Sequence, residues 1–231
     1  MKQVTTLSSA SAVPFRQNRF LQRLLIAFAA WMLYTALRPD RTFDFWLENA
    51  AAIAFLAILA ATYRRLCLSD ASYALIFVFL CLHEWGAQHK YTTVPLGEWL
   101  KPLLDTSRNH YDRIMHFGYG LLLSYPMQEW FVRCARVRGG FRYFLPVQFT
   151  VACSAVYELA EALMANILSP TRGEEFVGMQ GDLWDSQKDI ALAAAGSLAA
   201  MLLLAGWRAR RATLAEQSRG TYAGRSALTG K

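Results

Sequence analysis

The sequence predicts an all-α fold, a polytopic membrane helix bundle of about six transmembrane helices, with an interfacial segment between the third and fourth. Three observations predict it. Apolar runs recur at close to the ~20 residues a helix needs to cross the hydrocarbon layer. Lysine and arginine alternate in density from one connection to the next. Tryptophan gathers at the ends of the runs, where an amphipathic ring meets the membrane interface. The chain is 55% hydrophobic, and its runs lack the regularly spaced charges of an amphipathic soluble core.

The runs cover residues 20–37, 46–63, 71–86, 111–132, 143–168 and 188–207. The third is short, as suits a helix that ends in a polar pocket. Residues 1–19 are polar and read as a disordered cytoplasmic N-terminus; 20–207 form the membrane domain; 208–231 read as a basic, disordered cytoplasmic tail. No small-residue cleavage site precedes Trp31-Met32-Leu33-Tyr34, so the first run reads as an uncleaved helix. Arg38-Pro39-Asp40-Arg41 and Arg138-Gly139-Gly140 are tight turns. Between them, Leu96, Trp99, Leu100, Leu103 and Leu104 suggest a short helix lying on the membrane surface. Residues 169–187 form a glycine-containing acidic loop. No internal repeat supports an inverted-repeat transporter.

The net charge of +7 raises nucleic acid as a partner. Its distribution argues for topology instead. Sixteen Lys and Arg fall in the two ends and the 64–70 and 133–142 connections, against eight in the alternate connections. That bias places both termini in the cytoplasm of a bacterial inner membrane and the basic groups against anionic lipid headgroups. The partner is therefore the lipid bilayer, with no nucleic acid. Cys67, Cys81, Cys134 and Cys153 form no ligand spacing and read as small apolar fillers.

All four histidines, His83, His89, His110 and His116, lie within one 34-residue window. Asp112 and His116 are four residues apart and share a helix face. Glu158 and Glu161 lie eight to eleven residues before Ser169, near which the fifth helix ends, ~12–17 Å below the surface at ~1.5 Å per residue. Asp182, Asp185 and Asp189 fall on one face if the last helix starts early. The inner halves of the runs carry almost no such groups, so the reading is a pocket open to the extracytoplasmic side. His116, Glu161 and Asp112 are the candidate catalytic groups, with His116 or Glu161 as general base. His83, Glu84, Tyr111, Arg113, Tyr157, Glu158, Gln180, Trp184 and Lys188 are candidate pocket residues. His116, Asp112, Asp182, Asp185 and Asp189 form a mixed nitrogen and oxygen set suited to a divalent Zn, Mn or Fe.

Plainer roles exist for many of these. Asp112 can cap its helix after Asn109, and Asp182 and Asp185 can be first-turn acids. Arg113 and Lys188 can neutralise neighbouring carboxylates in a structural ion-pair network. The tyrosines, Tyr119 among them, serve more often in packing. His83 and His89 are six residues apart, on different faces, which is no zinc-protease spacing. Glu158 and Glu161 resist a plain reading, because a carboxylate deep in an apolar helix calls for a cation, a metal or a proton.

Three stretches carry a resemblance: His83-Glu84-Trp85-Gly86, the segment from Asn109 through Phe117, and the segment from Gly178 through Asp189. They resemble the YjdF-like bacterial inner-membrane proteins over about residues 20–207, which implies a multi-span inner-membrane protein and carries topology more than chemistry. A more distant likeness is to VanZ-like membrane proteins. There Asp112, Arg113, His116 and Phe117 match an Asp-Lys-x-x-His-Phe helix start, with Arg in place of Lys. Glu158 or Glu161 would match the glutamate of the next helix, and Asp185 or Asp189 with Gly196 the final one. That likeness implies a link to glycopeptide-antibiotic tolerance.

Three function classes follow. One is a metal-assisted hydrolase or transferase on a lipid or cell-envelope precursor. Another is a non-catalytic scaffold or accessory protein whose polar cluster is structural. The third is a small-solute or proton-coupled transporter.

Overall fold

The structure is a computed structural model, which describes residues 13–66, 68–168, 173 and 177–229, with side chains as far as Gln217. Among the described residues there are seven α-helices and no strand. They are α1 (Arg19–Ala36), α2 (Thr42–Leu66), α3 (Asp70–Gln88), α4 (Pro95–Leu100), α5 (Tyr111–Arg133), α6 (Phe141–Ile167) and α7 (Asp185–Thr229). Each apolar run coincides with one long helix, and α4 falls where the surface helix was expected. Two of the helices, α2 and the Asp185–Gln217 part of α7, are long and apolar enough by composition to cross a membrane.

Local sequence starts the helices where they start. The Asn18 side chain accepts from the Leu21 N–H at 3.0 Å and caps α1. Ser69 does the same for α3 through the Ser72 N–H at 3.3 Å. Pro95 opens α4, where its missing N–H costs nothing. At the far end of the chain, α7 runs on to Thr229 where the sequence suggested a disordered tail. Ala, Arg, Leu, Glu and Gln dominate residues 208–217, and all are strong helix formers. Residues 1–12 and Cys67, which also carried expectations, lie outside the described residues.

One apolar cluster joins α1, α2, α3 and α5 through Phe28, Ala52, Ile76, Leu80 and Leu123. Among the described residues the most extensive helix contact is between α5 and α7. Two glycines allow it. A Cβ on Gly120 would stand 2.0 Å from the Ala193 carbonyl oxygen, and one on Gly196 would stand 2.1 Å from that of Phe117. The backbones therefore touch, as small residues permit in membrane helix pairs. One turn further along α5, Ser124 Oγ donates to Ser197 Oγ at 2.5 Å and lies 3.3 Å from Thr150 Oγ1. All three hydroxyl residues are fully buried, tying α5, α6 and α7 together.

The expectation that the inner halves of the helices carry almost no polar groups needs correction. Besides that hydroxyl triad, Glu129 accepts from the Ser69 N–H at 2.7 Å and Ser72 Oγ at 2.6 Å, and pairs with Arg133 at 2.7 Å. Paired with a cap and a cation of its own end, Glu129 is a local joint between α3 and α5. The starts of α2, α5 and α7 and the ends of α1, α3 and α6 meet at the opposite end, which holds the histidine and carboxylate cluster. There the Asp40 N–H donates to the Gln88 carbonyl at 2.9 Å, joining the α1–α2 turn to α3.

Candidate functional site

Two layers of polar groups form at that end. The upper layer is a belt of ion pairs. Arg108 Nη2 lies 2.6 Å from Asp185 Oδ1, and the same guanidinium donates to the Met179 and Gly178 carbonyls at 2.5 and 3.4 Å. Arg113 pairs with Asp182 and lies 3.4 Å from Asp185. Lys188 Nζ reaches Asp182 at 2.6 Å. Asn109 and Gln180 clasp each other's segment. The Asn109 N–H donates to Gln180 Oε1 at 2.9 Å, and Gln180 Nε2 donates to the Asn109 carbonyl at 3.1 Å. Gln180 stands in the left-handed region, between Gly178 and Gly181, which do too. The belt thus pins the segment before α7 onto the start of α5.

The lower layer has no lysine or arginine of its own among the described residues. Asp112, His116 and Asp189 each offer a ligand atom, and these atoms all lie within 4.8 Å of one another. His116 Nε2 is 3.6 Å from Asp112 Oδ1 and 3.3 Å from Glu158 Oε1. The Glu158 contact is close but poorly directed, so that oxygen has no hydrogen-bond partner; nor has Asp189 Oδ1. Both residues are more than nine-tenths buried. Such orphaned acceptors are costly in an apolar surround and mark a place for a proton or a cation. Tyr157 donates to Glu48 Oε2 at 3.1 Å, bridging α6 and α2, and Glu161 follows it one turn along α6 on the same cavity wall.

Tyr91 enters from the loop after α3. Lys90 and Tyr91 both take left-handed backbone conformations, unusual for residues with side chains. The turn delivers the Tyr91 hydroxyl to within 2.5 Å of His83 Nδ1, while His83 Nε2 stays unpartnered. Burial pushes the Tyr91 phenol well above its ordinary range, so it remains a hydroxyl donor.

A cavity of about 830 Å³ opens beneath this layer. Glu48, His83, Tyr91, Asp112, His116 and Glu161 line its polar end. Its walls are otherwise almost wholly apolar and come from α2, α3, α5 and α6. Volume and lining are those of a small-molecule site.

Residues 20–210 match the family described as "Predicted membrane protein (DUF2238)". The chain belongs to this family. It is also 34% identical to the "Inner membrane protein YjdF" of Escherichia coli (strain K12), over 78% of this chain and 86% of that one. No solved structure matches it.

In this family member the residues singled out from sequence divide by layer. Asp112, His116, Glu161, Tyr157 and His83 come together on the cavity wall, with Glu158 and Asp189 beside His116 behind it. Arg113, Asp182, Asp185 and Lys188 go to the belt, as the ion-pair reading expected for the two cations. Asp182 and Asp185 therefore face cations in the positions where a metal was considered. Glu84 points away, accepting from Thr35 Oγ1 on α1 at 3.4 Å. Tyr111 is fully buried, donating to the Leu82 carbonyl at 2.8 Å beneath Trp85. Trp184 is 66% exposed, outside the pocket. His89 sits 3.4 Å from Asp40, and His110, whose burial lowers its pKa with help from Arg113, flanks the start of α5. The expected Asp112 cap is made by Asn109 instead, whose Oδ1 accepts from the Tyr111 N–H at 3.1 Å. Asp112, the second residue of α5, is left to face the cavity from the first turn.

Glu48, Tyr91 and Arg108 were not singled out from sequence. Glu48 had a signal, a carboxylate inside the 46–63 run. Tyr91 and Arg108 had none, because loop geometry alone brings them in.

The belt carries a pH dependence. Lys188, followed by the backbone at Trp184 and Arg113, holds the Asp182 carboxyl down at about 2. A lowered carboxyl pKa stabilises the fold above the unfolded value of ~4 and ceases to do so as pH falls through the folded value. Hydrogen exchange of residues 178–184 is therefore expected to speed up between pH ~4 and about 2. The Asp182→Asn variant should exchange fast at every pH; unchanged protection would contradict this role.

Proposed function

We propose that this protein is a six-span inner-membrane enzyme, a metal-assisted hydrolase or transferase working on a lipid or cell-envelope substrate from the extracytoplasmic side. One observation carries the reading: the Asp112, His116 and Asp189 ligand atoms lie within 4.8 Å of one another, and Asp112 and His116 line the polar end of an apolar cavity. α1, α3, α5 and α6 would complete six spans with α2 and α7. The charge asymmetry supports cytoplasmic termini and an outward-facing cluster.

Two carboxylates and an imidazole suit Zn, Mn or Fe. Such an ion supplies Lewis acidity and an activated water. Glu161, on the cavity wall, would take the proton from the attacking water or acceptor hydroxyl and return it to the leaving oxygen. Tyr157 would orient that carboxyl. With Nδ1 accepting from Tyr91, His83 would donate from Nε2 to a substrate oxygen across the cavity.

The protein purified in mild detergent is expected to carry near-stoichiometric metal by mass spectrometry. His116→Ala and Asp189→Asn should each weaken metal binding by more than ~10-fold without unfolding the protein. Metal-free wild type after incubation with Zn, Mn and Fe would overturn the reading.

A structural reading of the polar end has its own support in the belt, where Arg108, Arg113 and Lys188 already neutralise Asp182 and Asp185. It accounts for the upper layer and leaves the orphaned oxygens below it without a role.

A further inference from the structure

We infer that the cavity holds one long-chain amphiphile whose chain crosses the bilayer midplane and whose head is uncharged or cationic. The inference deepens the reading above, naming the substrate class of the same site, and rests on it for the chemistry alone.

Length is the first argument. On α2 the lining residues recur every three or four positions, Glu48, Ala51, Phe55, Ile58, Thr62 and Arg65, so one stripe of the helix faces the cavity from end to end. Glu48 and Arg65 stand seventeen residues apart, which is ~25 Å along a helix. The whole hydrocarbon layer measures ~30 Å, so a chain confined to one leaflet would fill little more than half of this length. The α5 wall matches, running from Asp112 to Trp130 and Cys134.

Charge is the second argument. Glu48, Asp112 and Glu161 line the polar end, and Glu158 lies just behind His116. Among the described lining residues the one lysine or arginine is Arg65, at the opposite end. Apart from a metal held by Asp112, His116 and Asp189, a bare phosphate at the polar end would meet carboxylates with no lysine or arginine, whereas a hydroxyl or amine would find acceptors. The unpartnered His83 Nε2, in a residue more than nine-tenths buried on the cavity wall, provides a separate sign of a missing polar partner there.

Trp130 at the far end reports on occupancy. A long-chain alcohol brominated at its terminal carbon, with a chain of ~25 Å, should quench tryptophan fluorescence saturably. That component should vanish in Trp130→Phe. Cys153→Phe, which narrows the cavity midway, and Ala51→Phe, which narrows it one turn from Glu48, should each weaken it by more than ~10-fold. An alcohol of half the length should leave Trp130 unquenched. The phosphate monoester of the full-length chain, tested with a chelator present, should bind more than ~10-fold more weakly. Quenching that does not saturate, or survives Trp130→Phe or both cavity variants, overturns the chain assignment. Equal or tighter binding of the phosphate overturns the head assignment. Metal measured in the same preparations separates the two readings. Saturable quenching without metal removes the enzyme reading and leaves the cavity occupant. Metal without saturable quenching does the reverse.

Discussion

Replacing Gly196 with leucine is expected to be among the most damaging single changes in the chain. The helix pair α5–α7 has no room for it, since even a Cβ would lie 2.1 Å from the Phe117 carbonyl oxygen and 2.9 Å from the Leu121 nitrogen. Both are backbone atoms and cannot rotate aside. The helices must separate, at a cost of about 3 kcal/mol or more. Gly120→Leu should behave alike, because its Cβ would meet the Ala193 carbonyl and the Ser197 nitrogen. Gly118→Leu is the control. It lies on the same helix with nothing within 4 Å of its Cβ position, and should change stability by less than ~0.5 kcal/mol. Thermal unfolding in detergent measures all three. The first two should also lose metal, because separation draws Asp189 away from Asp112 and His116. Equal unfolding temperatures for Gly196→Leu and Gly118→Leu would show that the crossing is not tight.

Arg108→Met should be nearly as costly. It leaves Asp185, 3% exposed, with Arg113 at 3.4 Å as its remaining cation, and removes a donor from the Met179 and Gly178 carbonyls. Breaking a buried ion pair from one side costs about 3–5 kcal/mol, and the remaining arginine holds the loss to the lower part of that range. Removing both charges in Arg108→Met/Asp185→Leu should recover most of it, since the penalty is the stranded carboxylate and not the lost attraction. Arg108→Lys should not rescue, because an ammonium cannot reach a carboxylate and two carbonyls in one planar fork. A double variant no more stable than the single one would contradict this account.

Much of the helix layout was legible, for a simple reason. Apolar runs of membrane length admit one local structure, so 111–132 in sequence became Tyr111–Arg133 in space. The Asp112–His116 pair was legible because i and i+4 share a helix face. Asp189 was legible as a candidate, but its sorting from Asp182 and Asp185 was not. All three are acids at the start of one helix, and what separates them is which meets a cation: Arg108, seventy-seven positions away in sequence, takes Asp185, while Arg113 and Lys188 take Asp182. Tyr91 was illegible for a related reason. Two left-handed residues in succession, Lys90 and Tyr91, turn the chain back on itself, and neither residue type signals that conformation. The Ser124–Thr150–Ser197 triad escaped notice because each hydroxyl alone is unremarkable in a membrane helix, and only their meeting makes a joint.

That joint has a consequence for the order of assembly. On the six-span reading, α5 and α6 are synthesised before α7, so Ser124 and Thr150 would enter the bilayer without Ser197, and the groove at Gly120 would wait empty. Hydroxyls and bare backbone facing lipid favour whichever helix can cover them. Docking of α7 closes the groove, completes the triad and, in the same movement, delivers Asp189 to His116. On that reading biogenesis and site formation would be a single late event, since an insertion intermediate lacking α7 has no Asp189 to complete the cluster.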